Sequence, residues 1–445
     1  MINKFKDSRL GKIPKSWEVV QLEDVCIPKQ GMRRGPFGGA IKKAFFVEKG
    51  YQVYEQRNAI YDDFETARYF IEEDKYNELK AFKVEANDFI VSCSGTIGRI
   101  AKVPENFKKG VINQALLRLR LDRNIITDNY FLQQFRSEPF QNKITDSTQG
   151  GAMRNLVGMA EFRKTLLTLP PLPEQQKIAE ILSTVDAKID VIDQRIAQTQ
   201  DLKKGLMQRL LTKGIGHTEF KESPLGEIPK SWEVKNLDDF TDEITDYVAA
   251  GSFASLKENV NVFTELNHAI YVRLTDLRKG LGHSEQKYVD EKSYNFLSKS
   301  NLYGNEILFA NIGANVGEAW MMPEISKKAT IAPNMIVIRA NNKNIVSKYL
   351  HAYLSSSIGL RQIDKIIAGS GHPKINKTEL RKLSAILPPK EEQTQIANIL
   401  STVDAKLDVL QNKKTHYQDL KKGLMQQLLT GKVRVTGLIK ERVEV

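Results

Sequence analysis

Apolar residues recur along two stretches of the chain at alternating intervals of four and three. In the first stretch Ile178, Leu182, Val185, Ile189, Ile192 and Ile196 carry the pattern. In the second it falls on Ile396, Leu400, Val403, Leu407 and Leu410, and Tyr417, Leu424 and Leu428 continue the stripe. This is the 3.5-residue period of a coiled-coil seam, with Asp186, Lys188, Asp190 and Gln194 on the other faces. Pro170, Pro171 and Pro173 precede the first stretch, and Pro388 and Pro389 the second. Proline lacks the N–H a helix interior needs, so these residues block any helix before the run, while Gly214 and Gly431 end it. A helix of about 37 residues at 1.5 Å rise gives a rod of ~55 Å. Two such rods most simply pack on each other. A whole domain lies between them, so antiparallel pairing is as reachable as parallel. Two amphipathic helices each packing on its own domain would not need so long a seam.

The two stretches are near copies. LPPLPEQQKIAEILSTVDAKIDVIDQRIAQTQDLKKGLMQRLLT returns as LPPKEEQTQIANILSTVDAKLDVLQNKKTHYQDLKKGLMQQLLT, without a gap, at an offset of 218 residues (Leu169 to Leu387). Ahead of each comes a second echo, LGKIPKSWEVVQLEDV from Leu10 and LGEIPKSWEVKNLDDF from Leu225. So long a period is no solenoid, whose repeats run about 20–50 residues. It marks a duplicated domain-plus-helix unit. The fold expected is α+β, with two mixed α/β domains separated by two long helices that form an antiparallel coiled coil with pseudo-two-fold symmetry. The boundaries expected are a first domain at 1–168, a helix at 169–214, a second domain at 215–386, a helix at 387–432 and a tail at 433–445. Gly205 and Gly423 sit inside the helical pattern in the shared phrase DLKKGLMQ. Glycine there costs about 1 kcal/mol relative to alanine. Either a close backbone approach, between the helices or to a partner protein, or inheritance from a duplicated ancestor accounts for it.

Between the repeats the halves diverge on a common skeleton. DFIVSCSGTIGRIA (88–101) with INQALLRLR (112–120) corresponds to EILFANIGANVGEA (306–319) with IAPNMIVIR (331–339). Each reads as a short β-rich run, a glycine turn and another strand. A short helix and a Gly-rich loop follow, TQGGAMRN (148–155) or AGSGHPK (368–374). SGTIG and NIGANVG match neither G-x-G-x-x-G nor G-x-x-x-x-G-K-[ST], so a nucleotide site is not indicated. The loops do carry groups able to contact base edges or phosphates. In the first half these are Lys29, Gln30, Arg33, Arg34, Gln56, Arg57, Asn58, Ser94, Thr96, Gln149, Arg154 and Asn155. In the second half they are Tyr247, Ser252, Arg273, Thr275, Asp276, Asn311, Asn315, His372 and Lys374. Arginine can read guanine bidentately, and asparagine or glutamine adenine. Taken singly, each is more often a solvated loop residue; as a set on matching loops they point to DNA.

Composition sharpens this. The 445 residues carry 66 Lys+Arg against 54 Asp+Glu, a net charge of +12, an excess that favours a polyanion through counterion release. Two cysteines, Cys26 and Cys93, are too few for a disulfide framework or a cysteine zinc site, and the six histidines show no metal-ligand spacing. No bound metal is expected. The N-terminus has no apolar signal segment and no apolar run spans a membrane, so a cytoplasmic location is expected.

IPKSWE opening a variable domain, LPPLPEQQKIAEIL leading into a long helix, KKGLMQRLLT ending it, and the repetition of the whole unit resemble the specificity (S) subunit of Type I restriction–modification enzymes. GPFGGAIKK (35–43) and YEQRNAIY (54–61) also look like recognition-domain segments. The second copy departs at Lys390 and Glu391, where Leu172 and Pro173 stand in the first. The resemblance covers nearly the whole chain. It implies that each variable half is a target recognition domain reading one half of a bipartite, asymmetric DNA site. The helices would set the spacing and dock two methyltransferase (M) subunits, with Ile178, Leu182, Val185, Ile189, Ile192 and Gly205, and Ile396, Leu400, Val403, Leu407, Leu410 and Gly423, as seam and docking positions. Two restriction (R) subunits would join. The chain itself would be non-catalytic and carry no cofactor, with S-adenosylmethionine in the M subunits and ATP and Mg in the R subunits. The residues agree: no D/N-P-P-Y/F motif, no F-x-G-x-G loop and no Walker loop is present. The other reading is a coiled-coil scaffold without DNA recognition, which leaves the two divergent, loop-rich domains unexplained.

Overall fold

The computed structural model describes residues 5–146, 155–341, 343–367 and 373–439. The chain divides into two compact units, Met1–Asp193 with Lys413–Val445, and Gln194–Asn412. The long helices, Leu172–Lys213 and Lys390–Leu428, therefore each begin in one unit and end in the other.

The first unit is built on a four-stranded antiparallel sheet in the order Met32–Arg34, Leu116–Leu119, Phe89–Ser92, Ile100–Lys102. FIVS and LLRL are buried along their whole length, because both faces of this sheet are covered. Phe89, Val91, Leu117 and Leu119 pack with Tyr130, Phe131 and Phe135 and with Trp17, Ile178 and Leu182. Ile90 and Leu116, one residue out of phase, face a second cluster with Tyr54, Phe64 and Ile112. That side carries a three-stranded sheet in which Tyr51–Tyr54 runs parallel to Gly110–Ile112.

The second unit repeats the plan. Its four-stranded sheet has the order Thr241–Asp246, Met335–Ala340, Ile307–Ala310, Ala319–Met321. One face packs Phe309, Ile336 and Ile338 with Tyr349, Tyr353, Trp232, Ile396 and Leu400. The other face packs Leu308 and Val337 with Tyr271 and Val272, whose strand Ala269–Val272 runs parallel to Ala329–Ile331.

Each unit anchors its long helix in the same way. The strand just before the helix pairs antiparallel with the strand after the IPKSW phrase, Leu166–Leu169 with Glu18–Gln21, and Ser384–Leu387 with Glu233–Asn236. Trp17 Nε1 then donates to Glu174 Oε2 at 2.8 Å, and Arg434 Nε and Nη2 donate to the same carboxylate at 2.7 and 2.8 Å. In the second unit Trp232 Nε1 donates to Glu392 Oε2 at 2.9 Å, and His217 Nε2 lies 2.9 and 3.0 Å from its two oxygens. The adjacent glutamine staples a domain loop. Gln175 accepts from Thr127 N and donates to Ile125 O and Pro170 O, and Gln393 accepts from Val346 N and donates to Asn344 O and Pro388 O. The Glu-Gln pair of the repeated phrase is thus the joint between domain and helix.

Within the first unit the two helical segments run antiparallel, as ion pairs Lys414–Asp193 and Lys421–Asp186, both 2.6 Å, require. In the second unit Lys203–Asp404 at 2.5 Å is the repeat counterpart of Lys421–Asp186. One expectation is corrected and two readings are narrowed. The first helix starts at Leu172 and includes Pro173, since a first-turn residue needs no intrahelical N–H partner. Ile178 and Leu182, and Ile396 and Leu400, lie in the domain cores, so the ends of the seam serve the domains as well as the helix pair. A Cβ added at Gly205 or Gly423 would meet nothing within 4 Å; neither glycine marks a close approach of the two helix backbones.

Candidate nucleic-acid interface

Some of the predicted loop residues gather in each unit around a short helix that follows the parallel strand. In the first unit this helix is Gln56–Tyr61. Beside it lies a cleft of about 480 Å³ lined by Ala59, Asp62, Thr96, Arg99, Arg136 and Asn142 among others. Ser94 and Thr96 stand exposed in the turn between Phe89–Ser92 and Ile100–Lys102. Gly95 (φ +60°) and Gly98 (φ +72°) give this turn its left-handed backbone, and Ser92 Oγ closes it by donating to Thr96 O at 2.6 Å. Arg57 pairs with Asp63 at 3.2 Å and stays half-buried. Gln56 keeps its Oε1 buried without a hydrogen-bond partner.

Lys29, Gln30, Arg33 and Arg34 form a separate group at the edge strand Met32–Arg34 and the turn before it. Lys29 has φ +63°, Gln30 O accepts from the buried Arg118 at 3.0 Å, and Arg33 is exposed. Asn155 pairs with Asp146 in a two-residue ladder. Gln149, Arg154 and His372 lie outside the described residues.

In the second unit the corresponding helix is Leu274–Lys279. Arg278 Nη2 donates to Asn315 Oδ1 at 2.7 Å and pairs with Glu318 at 2.6 Å, tying this helix to the turn after Ile307–Ala310. Lys374, exposed, bridges to Ile312 in that same turn. Asn311 Oδ1 is buried without a partner. Thr275 and Ser252 are exposed, Ser252 Oγ capping the next helix by accepting from Ser255 N at 3.3 Å. Tyr247 is buried against Tyr271, ring centroids 6.2 Å apart.

Asn58 and Asp276, like Tyr247 and Arg273, have structural partners instead of an open face. Asn58 is buried, accepts from Glu55 N at 2.8 Å and donates to Asp63 O at 2.6 Å. Asp276 is buried and accepts from Arg273 N (2.8 Å), Arg273 Nε (3.0 Å) and Nη2 (2.6 Å), with His283 Nε2 at 2.8 Å. Burial alone would raise its carboxyl, but the hydrogen bonds from Arg273 and His283 outweigh that and hold it below the usual carboxylate range. Arg273 is correspondingly raised, first by its hydrogen bond to Asp276. Asn58 and Asp276 occupy the same third position of the corresponding helices, where a polar side chain closes a capping box. Sequence reading passed over Arg99, Arg136 and Arg278, although Arg99 stands one residue past the SGTIG turn.

Among the described residues no group of three or more His, Cys, Asp or Glu is placed to hold a metal ion, and no helix is long and apolar enough to cross a membrane. Cys26 and Cys93 are free and buried, and burial pushes both thiols up to about 12.

This duplicated arrangement is that of a known family. The model of the Type I restriction modification DNA specificity domain matches residues 14–200 and again 229–416, and the chain belongs to that family. A putative type I restriction enzyme MjaX specificity subunit of Methanocaldococcus jannaschii is 26% identical over 97% of both chains. The MjaVIII specificity subunit of the same organism is 26% identical over 98% of this chain and 97% of its own. A Salmonella potsdam StySPI specificity subunit is 22% identical over 90% of this chain and 85% of its own. Among solved structures, a type I restriction–modification system chain aligns with a TM-score of 0.54 at 17% identity, covering 95% of this chain and 99% of that one. The S subunit from M. genitalium aligns with a TM-score of 0.54 at 14% identity, covering 96% and 99%.

Proposed function

We propose that this chain is the DNA sequence-specificity subunit of a Type I restriction–modification complex. Each recognition domain reads one half of a bipartite, asymmetric target. The long helices fix the spacing and dock two methyltransferase subunits, directing them to adenines in the site, and two restriction subunits convert the assembly to cleavage. The chain itself performs no catalysis; S-adenosylmethionine belongs to the methyltransferase subunits, ATP and Mg to the restriction subunits, and the assembly works in the cytoplasm. The observation that carries this reading is the doubled family match on two like-built units, each gathering polar loop residues around one short helix. A scaffold without DNA recognition has no use for those loops.

Co-expression with the methyltransferase subunit in a host lacking other adenine methylation, followed by genome-wide methylation mapping, tests it. The expected result is one methylated motif made of two short specified blocks around a fixed unspecified spacer. Absence of new methylation, or a single uninterrupted motif, would contradict it.

A further inference from the structure

Phe37 and Phe253 are 74% and 76% exposed, the two most exposed large apolar side chains among the described residues. An isolated surface phenylalanine needs no explanation. These two, however, both lie in the connection after the edge strand of the four-stranded sheet, three residues past it in one domain and seven in the other. Each stands in a G-x-F phrase, Gly35-Pro36-Phe37 and Gly251-Ser252-Phe253. Each phrase lies in the connection that leaves the edge strand of the four-stranded sheet, Met32–Arg34 or Thr241–Asp246, and enters a helical turn, Gly38–Ala40 or Phe253–Asn259. A further 3₁₀ turn, Tyr247–Ala250, intervenes in the second domain.

In each case the backbone beneath the ring is anchored. At Gly35 an added Cβ would fall 1.8 Å from Asn113 O, so the backbone is pressed against the neighbouring strand connection, and Gly35 N donates to Leu116 O at 2.9 Å. Pro36 is buried and fixes its own φ. Phe253 is the first residue of a helix whose N-cap is Ser252. In the first domain Arg33 and Arg34 precede the Gly35-Pro36-Phe37 phrase, and Arg33 is exposed, a cation suited to a phosphate beside a base step.

We propose that Phe37 and Phe253 are aromatic wedges, each pressing its ring onto the base stack of one half-site. The inference rests on the DNA-reading function above and adds the contact by which each domain grips its half. Apolar side chains of this kind enter base steps from the minor groove and unstack them, and deformable pyrimidine–purine steps accept this most readily.

The test uses the full chain assembled with its methyltransferase subunit and duplexes carrying the mapped target, with 2-aminopurine placed in turn at each step of one half-site. Wild type should brighten 2-aminopurine at one step of each half-site. Phe37→Ala should abolish the change in the first half-site only and weaken binding roughly ten- to a hundredfold, while Phe253→Ala does the same in the second. Phe37→Trp, which keeps an aromatic face, should retain affinity. Unchanged affinity and unchanged fluorescence in both alanine variants would overturn the proposal. So would failure of either variant to retain the methyltransferase subunit in a pull-down, since the rings would then be protein contacts. If wild type itself showed no preference for the mapped target, the specificity reading would fail and the wedge with it.

Discussion

Glu174 is almost sealed from water, yet it is a carboxylate shared by Trp17 and Arg434. The pair brings together the entry of the domain, the first turn of one long helix and the turn that follows the other. Removing the charge leaves Arg434 facing a neutral amide, and hydrogen bonds to charged groups contribute about 1.5–3 kcal/mol. Glu174→Gln should lose stability near the lower end of that range, because the Arg434 side chain is 30% exposed. Arg434→Ala should lose more, since it strands the buried Glu174 charge with Trp17 Nε1 as its remaining donor, whereas the freed Arg434 of Glu174→Gln can turn to water. Urea unfolding followed by tryptophan fluorescence measures both; no loss in Glu174→Gln would remove the joint from the account. Asp276 supports a pH prediction. Its carboxyl lies below the usual 3.8 in the folded domain, so its contribution is present above the unfolded value and disappears as pH falls through the folded one. The melting temperature of wild type should therefore drop more steeply below about pH 4 than that of Asp276→Asn, which should already be less stable at pH 7. Parallel acid limbs for the two proteins would contradict this.

At the scale of elements, the long helices were legible because their period is sustained and repeated. Their anchoring was not: nothing in the sequence singles out Glu174 and Gln175, and only the fold brings Trp17, Thr127 and Arg434 to them. Strands such as Phe89–Ser92 were legible as apolar runs, but not their neighbours, since Met32–Arg34 joins Leu116–Leu119 across a long sequence gap. Asn58 and Asp276 show the limit at the candidate interface. A capping side chain and a base-reading one have the same chemistry in sequence, and only burial separates them. The helices also carry a ruler prediction. A single four-residue insertion after Leu211 would have been the simplest test, but Leu211 is buried in the core with Trp232, so it would disturb the second domain. Paired four-residue insertions where the helices pass between units, after Asp193 and after Asn412, preserve the packing inside each unit. They add about 6 Å of rod, and DNA rises ~3.4 Å per base pair. The methylated motif should keep both halves and gain a spacer longer by about one or two base pairs. An active variant with an unchanged spacer would mean the helices are not the ruler.

For the whole molecule, duplication is the organising fact. Two units share a sheet order, a Trp–Glu joint and a loop cluster around one helix, while the loop chemistry differs, Arg57 with Asp63 on one side and Arg278 with Asn315 and Glu318 on the other. Shared framework with divergent loops is what independent reading of two half-sites requires. The chain without its partners should aggregate, because Val191 and Leu202, and their repeat counterparts Val409 and Leu420, stay exposed on the helices. Co-expression with the methyltransferase subunit should restore solubility in sedimentation assays, and a well-behaved chain with no affinity for that subunit would argue against helix docking. The central claim is that each unit reads its own half of the target. Replacing residues 1–168 with the corresponding domain of a relative of different specificity, and mapping methylation by single-molecule sequencing, tests it directly. The account predicts a motif whose one half is new while the other half and the spacer are unchanged. A motif altered in both halves at once would contradict it.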